Sequence, residues 1–266
     1  MFARLFTKRV EKPAGAPGFL LYAIGDIHGH ADLLADLLAQ IRADHQSRPP
    51  AKLVLVSVGD LIDRGPDSAG VIEQLRLLDP VECRFIGLAG NHEEVLLRIL
   101  DGDAEMIVEW LGFGGAECMA SYGVDAAQLT LLTPSRQLRS VQAAILPAHV
   151  AFLRGLGDTF RFGGYLFAHA GIRPGIPLHD QTPRDLRWIR RDFLDDPRDH
   201  GFVVVHGHTI SNEVDERINR IGIDTGAYRG GCLTALAIEG SSRWLLQAGP
   251  AVVSQPVPAV PIEQGR

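Results

Sequence analysis

Unbroken apolar runs and helically spaced apolar residues alternate through the first hundred positions. FLLYAI (19–24), LVLVSV (53–58) and RFIGLA (84–89) are short and uninterrupted, as strands buried in a sheet require. Each is followed by a stretch with a different period. In ADLLADLLAQIRADH, Leu33, Leu34, Leu37, Leu38 and Ile41 fall at helical spacing. DSAGVIEQLRLL (67–78) opens on Asp67, a residue suited to an N-cap, and HEEVLLRIL (92–100) repeats the helical spacing. Three strand–loop–helix units in succession predict a right-handed α/β arrangement. The second half reads as α+β: YLFA (165–168), FVVVH (202–206), CLTALAI (232–238) and RWLLQA (243–248), with little helix between the last two. Antiparallel pairing, and a second sheet, is expected there. Residues 101–160 read as mostly helical and glycine-punctuated, a candidate lid.

Punctuation sets the outer boundaries. Residues 1–18 form an N-terminal segment ending in a Pro/Gly linker, EKPAGAPG (11–18), and 19–250 form the domain. Residues 251–266, with PVPAVPIEQGR from Pro256 onward, read as a disordered proline-rich tail. No internal repeat is visible. At 266 residues and 46% hydrophobic, the chain can bury a large core. A net charge of −6 argues against a general nucleic-acid binder. Cys83, Cys118 and Cys232 are odd in number and lack C-x-x-C spacing, so they read as reduced thiols of a cytoplasmic protein. The opening MFARLFTKRV has no apolar h-region, so it is not expected to be a secretory signal. No apolar run reaches the roughly 18 residues of a membrane span. Neither nucleic acid nor membrane is expected as a partner.

Chemistry gathers where the strands end. After the first strand comes Gly25-Asp26-Ile27-His28-Gly29; after the second, Gly59-Asp60-Leu61-Ile62-Asp63-Arg64-Gly65; after the third, Gly90-Asn91-His92-Glu93. YLFA is followed by His169-Ala170-Gly171, and FVVV by His206-Gly207-His208-Thr209. Carboxyl ends of strands in open α/β sheets face one crevice, so these groups should converge. Asp, His and Asn without thiolate suit divalent Mn, Fe or Zn better than Ca. One Asp reaching two ions about 3.5–4 Å apart is the usual core of a two-metal hydrolytic site. Taken singly, each piece has a plainer explanation: Asp60 and Asp63 could cap a helix with Arg64 as their partner, Asn91 could be an N-cap, and one of His206 and His208 a core histidine. Their joint occurrence, each just past an apolar strand, favours a dinuclear site.

GDIHG, GDLIDRG, GNHEE, FAHAG and HGHT together resemble the successive blocks of the calcineurin-like metallophosphoesterases, from about Leu20 to Leu246. More narrowly they resemble the serine/threonine phosphoprotein phosphatase branch, in its bacterial and phage-type form. The resemblance implies two mixed β-sheets packed face to face as a sandwich, with helices outside. It implies that Asp26 and His28 hold one divalent ion, that Asp60 bridges both, and that Asn91, His169 and His208 hold the second. Manganese is the expected metal, with iron or zinc as alternatives. His208 is preferred to His206 because the family's ligand directly follows Gly, as His208 follows Gly207. His206 would then stand behind the ligands or on the substrate side. Ile210 occupies the place where broader metallophosphoesterases carry a further histidine, as expected for the phosphatase branch.

The resemblance also assigns the remaining steps. The nucleophile is a hydroxide bridging the metals, its pKa lowered from about 15.7 toward neutrality. His92 supplies a proton to the leaving alkoxide, and Asp63 holds His92 protonated and aimed. Arg64 is one guanidinium fork for the phosphoryl oxygens. Arg190 is the other, because Trp188-Ile189-Arg190 resembles the Trp-x-Arg of phage-type phosphatases. Arg173, in AGIRP, competes for that place, unless it forms a salt bridge to nearby acids. Tyr228, in IDTGAYRGG, either lines the pocket or serves its turn. Trp110 and Tyr122, in the stretch WLGFGGAECMASYG, either stack on a substrate group or form a helical-hairpin core.

Three functions compete. The first is hydrolysis of phosphomonoesters: phosphoserine or phosphothreonine of a protein, or a small phosphoester. The second is hydrolysis of a dinucleoside polyphosphate on the same fold; relatives with that activity tend to lose the acid that Asp63 supplies here. The third is a non-catalytic binding module, disfavoured because every ligand position is filled.

Overall fold

The computed structural model of the chain describes residues 13–250. The proposed tail (251–266), and the N-terminal segment up to residue 12, lie outside them. Three successive units open the fold: β1 (Phe19–Ile24), α1 (Ala31–Gln46), β2 (Lys52–Ser57), α2 (Ser68–Arg76), β3 (Arg84–Gly87) and α3 (Asn91–Leu100). β1 pairs parallel with β2, and β2 with β3. Asp67 caps α2 by accepting from Gly70 N at 2.7 Å. A helical stretch follows as α4 (Met106–Trp110), a turn kinked at Gly114 (Leu111–Gly115), α5 (Ala116–Ser121), α6 (Ala126–Thr130), α7 (Pro134–Ala144) and α8 (Pro147–Arg154). The second half contains β4 (Thr159–Phe162), β5 (Tyr165–Ala168), α9 (Pro183–Trp188), α10 (Arg191–Leu194), β6 (Val203–His206), β7 (Asp215–Glu216), β8 (Arg220–Gly222), β9 (Leu233–Glu239) and β10 (Ser242–Ala248).

Two five-stranded mixed sheets result, ordered β10-β9-β1-β2-β3 and β4-β5-β6-β8-β7. Period-two alternation divides each strand between two cores. In β1, Leu20, Tyr22 and Ile24 face α1 to α3, whereas Leu21 and Ala23 face the second sheet. In β5, Tyr165 and Phe167 meet that inter-sheet core, while Leu166 and Ala168 join Leu186, Ile189 and Phe193 beneath α9 and α10. The layers run helix, sheet, sheet, helix. Strands buried on both faces explain why β1 and β5 are apolar throughout. No helix among the described residues is long and apolar enough to cross a membrane.

Four features differ from the sequence reading. β9 and β10 do pair antiparallel, but the hairpin returns to the first sheet, β9 lying beside β1. β4, β7 and β8 are additional strands, short and carrying charged residues. The helical stretch ends at Arg154, and Thr159 already belongs to β4. From Pro13 the linker is held in place: Gly15 N donates to Gly240 O at 2.8 Å and Tyr165 Oη to Pro13 O at 3.1 Å. The insertion itself is anchored in the main core, where Ile107, Trp110, Cys118, Met119, Val141 and Leu153 join the residues of α1 to α3.

Candidate active site

The groups that end β1, β2, β3, β5 and β6 lie together at one edge of the sandwich. Asp60 is the hub. Its Oδ2 lies 3.6 Å from His28 Nε2 and 4.0 Å from His92 Nε2, and its Oδ1 lies 3.4 Å from His169 Nε2. Ligand atoms of His28, Asp60 and His92 fall within 4.8 Å of one another, and so do those of Asp60, His169 and His208. Asn91, the first residue of α3, places Oδ1 3.1 Å from His169 Nε2, while Gly90 takes the N-cap place. Asp26 accepts from His208 N through Oδ2 at 3.0 Å.

Several features of the donor set fit divalent cations. His28 Nδ1 donates to Ile62 O at 3.0 Å and His169 Nδ1 to Val58 O at 2.9 Å, because a carbonyl can only accept. That leaves Nε2 of each ring turned toward Asp60, the orientation that metal-bound histidines adopt. Asp26 Oδ1 and His208 Nε2 are buried without a partner. Glycines give the carboxylates room: a Cβ on Gly207 would collide with Asp26 Oδ1, and one on Gly90 with Asp60 Oδ1. Buried carboxylates crowd one another. Burial, then Asp224 and Asp60, push the Asp26 carboxyl well above its ordinary range, and burial pushes Asp224 up to about 6. Burial alone would raise Asp60, yet His169, His92 and His28 hold it well below the carboxylate range. Burial pushes His28 down to about 3 and His208 down to about 2, favouring neutral imidazoles that can ligate.

His92 has a different setting. Its Nδ1 donates to Asp63 Oδ2 at 2.6 Å, and the pair is buried. Burial would lower the imidazole, but Asp60 and the bond to Asp63 hold it above its usual range. The same Asp63 oxygen accepts from Trp110 Nε1 at 3.0 Å, so that tryptophan reaches the site from the insertion while its ring stays in the core. Tyr122 makes no hydrogen bond to this network; its hydroxyl lies 2.8 Å from His149 Nδ1.

The arginines separate clearly. Arg64 is half-buried; its guanidinium lies 4.3 Å over the Tyr228 ring, with Nη1 3.2 Å from His28 Nε2. Tyr228 in turn meets the His28 ring edge-on at 5.0 Å. The insertion fixes Arg64 from outside: Arg64 N donates to Gly114 O at 3.0 Å and Nε to Phe113 O at 3.4 Å. Gly114 has φ 110°, and a Cβ there would strike Arg64. Arg190 is exposed at the mouth, where its charge reaches His208. Beside it Trp188 is 40% exposed, its Nε1 3.3 Å from Glu94 Oε2. Arg173 is tied to Asp185 at 2.6 Å and lies 3.6 Å from Asp192, the salt bridge that was its plainer reading. His206 joins neither ligand group; its Nδ1 meets Gly207 O at 3.0 Å and its ring packs edge-on against Phe193 at 5.3 Å.

Backbone strain marks the same residues. Among the described residues, the non-glycines with positive φ are His28 (46°), Asp60 (49°), Asp63 (72°), Arg64 (68°) and His208 (63°). Each such conformation costs about 1–3 kcal/mol and persists only where surrounding contacts enforce it. Sequence reasoning missed three members of the neighbourhood: Glu93, Trp110 as a donor to Asp63, and Asp224. Asp224 follows β8, so the strand-end rule applied to RIG would have found it.

Similarity to known proteins agrees with this geometry. A sequence model of the calcineurin-like phosphoesterases matches residues 19–229. Serine/threonine-protein phosphatase 2 of Escherichia coli (strain K12) is 42% identical over 228 residues, covering 82% of this chain and 93% of its own. The symmetrical bis(5'-nucleosyl)-tetraphosphatase of Methylobacillus flagellatus is 27% identical over 279 residues, covering 86% of this chain and 96% of that one. A solved structure described provisionally as a diadenosine tetraphosphatase shares the fold, with a TM-score of 0.60 at 21% identity, over 90% of this chain and 98% of that one. With matched blocks ending on one crevice of buried acids and imidazoles, this chain belongs to the calcineurin-like phosphoesterase family.

Proposed function

We propose that the chain hydrolyses phosphomonoesters, with phosphoserine or phosphothreonine of proteins as the substrate class, and acts in the cytoplasm. The observation that carries this reading is the Asp63–His92 pair at 2.6 Å. A phosphomonoester leaves as an alkoxide and needs a proton, whereas a phosphoanhydride has a better leaving group and needs less. An imidazole held above its usual range by the buried carboxylates of Asp60 and Asp63 is suited to the harder task.

In this reading Asp26, His28 and Asp60 would hold one divalent cation, and Asp60, Asn91, His169 and His208 would hold the other, manganese being preferred to iron or zinc. Two such ions would lower the pKa of a water from about 15.7 toward neutrality and offset phosphoryl charge. Arg64 and Arg190 grip the phosphoryl oxygens and orient the ester. The attacking water gives up one proton to solvent; as its oxygen bonds to phosphorus and the P–O bond to the alcohol breaks, Nε2 of His92 passes its own proton to the departing oxygen. Asp63 stabilises the imidazolium before that transfer and fixes the ring through Nδ1. His206, Arg173 and Tyr228 take no direct part; Tyr228 supports the Arg64 guanidinium.

A dinucleoside polyphosphate is the second reading, favoured by the name of the Methylobacillus relative. Side-by-side turnover of a phosphopeptide and diadenosine tetraphosphate separates the two. A higher kcat/KM for the phosphopeptide is expected; a preference for the tetraphosphate would overturn the monoester assignment.

The phosphate grip has its own test. Charge-assisted hydrogen bonds are each worth roughly 1.5–3 kcal/mol, so Arg64→Ala and Arg190→Ala should each lower kcat/KM at least about tenfold, with metal content unchanged. Lysine should restore little at Arg190, because a point charge cannot reproduce a planar fork. Arg173→Ala should be milder. Steady-state kinetics that found Arg173→Ala crippling and Arg190→Ala silent would move the grip to Arg173.

A further inference from the structure

Glu93 is fully buried on the first turn of α3, yet it belongs to neither ligand group. Its carboxylate takes four backbone N–H donors. Oε2 accepts from Gly90 N at 2.7 Å and Asp60 N at 2.9 Å, and Oε1 from Leu61 N at 2.8 Å and Ile62 N at 3.3 Å. Only the Gly90 bond is the ordinary reach of a third-position glutamate back to its helix start. The other three leave the helix and seize the loop that follows β2. That loop contains Asp60, Asp63 and Arg64, all at positive φ, a course their side chains disfavour.

We propose that Glu93 is a positioning residue: by accepting from Asp60, Leu61 and Ile62 it holds the loop 60–64 in its course, with Asp60, Asp63 and Arg64 at positive φ, and so aims those three side chains together. The physical reason for a carboxylate is donor count. Four N–H groups converge, and an ionised carboxylate offers only acceptors. A glutamine would turn its own NH2 toward two of those donors and leave them unsatisfied in a buried site. The same bonds tie the end of β2 to the start of α3, so one side chain registers the Asp60 and Asn91–His92 blocks against each other. The inference rests on the site described above and is independent of which phosphoester is cleaved.

The test is Glu93→Gln, read by metal titration, kinetics and the indole NMR resonance of Trp110 in metal-free protein. Trp110 donates to Asp63, so its N–H resonance reports the course of the loop without metal or substrate. Metal affinity and kcat/KM should both fall about 10–100-fold, as when a ligand's supporting partner is removed. The kinetic loss should extend to aryl phosphates, which need little proton donation, as well as to alkyl phosphates, and the Trp110 resonance should shift. If Glu93→Gln lowers the melting temperature while metal affinity, resonance and kcat/KM keep their wild-type values, Glu93 is a helix cap and the inference fails. Should Glu93→Gln not fold, Glu93→Asp decides. Its shorter carboxylate still reaches Gly90 but loses the loop, so metal affinity should drop with the fold intact; unchanged affinity overturns the proposal.

Discussion

Asp60→Asn should abolish turnover and leave fewer than two divalent ions bound per chain. The two carboxylate oxygens face different groups, Oδ2 toward His28 and His92 and Oδ1 toward His169. Asparagine keeps the volume and tolerates the left-handed φ of 49°, so the fold should survive. What changes is that one oxygen becomes an NH2 group, whose protons point at an imidazole nitrogen or a cation. The negative charge that His169, His92 and His28 surround is also lost. Metal analysis after dialysis, with a thermal melt to confirm folding, provides the measurement. Two ions at full occupancy would end the assignment of Asp60 to both sites.

His92→Asn should retain both ions and lose rate by roughly 10²–10⁴-fold, the usual contribution of a general acid. His92 falls within one of the two possible ligand groups, so metal retention is a real discriminator. The reason to place it on the substrate side is its proton: Nδ1 is committed to Asp63, and the ring is held above its ordinary pKa by Asp60 and Asp63 against burial. Aryl phosphates release weakly basic phenolates, so their loss should be smaller than that of alkyl phosphates. Equal losses for both would refute the acid role. Loss of one ion would make His92 a ligand instead.

The site was more legible in the sequence than the sheets that carry it. β1 and β5 are apolar on both faces, so their bounds and the acids or imidazoles beyond them stand out. β8 has only Arg220, Ile221 and Gly222, too short and too polar to signal a strand, so Asp224 at its end went unread. Sheet membership was not encoded in periodicity at all. β9 and β10 alternate as any hairpin does, and only long-range pairing with β1 puts them in the first sheet. Glu93 escaped for a different reason: a glutamate three places beyond Gly90 looks like an ordinary cap, and its bonds to residues 60–62 depend on a loop distant in sequence. Trp110 was read by its ring, which is core, while its N–H serves Asp63.

The grip of the insertion on residues 63 and 64 limits how such a protein can be rebuilt. Exchanging a peripheral helical segment is the obvious way to give an enzyme a new substrate. Here that cassette also supplies the indole N–H to Asp63, a carbonyl to the Arg64 backbone and, at Gly114, the missing side chain that lets the two segments touch. A transplanted replacement that kept the surface but altered positions 110–115 would arrive as a dead enzyme, and its failure would be mistaken for poor substrate fit. Helices α6 to α8 make none of these contacts with residues 63 and 64, although Leu129, Val141 and Leu153 still belong to the main core. Any rebuilt segment should therefore leave the six-residue splice at 110–115 untouched.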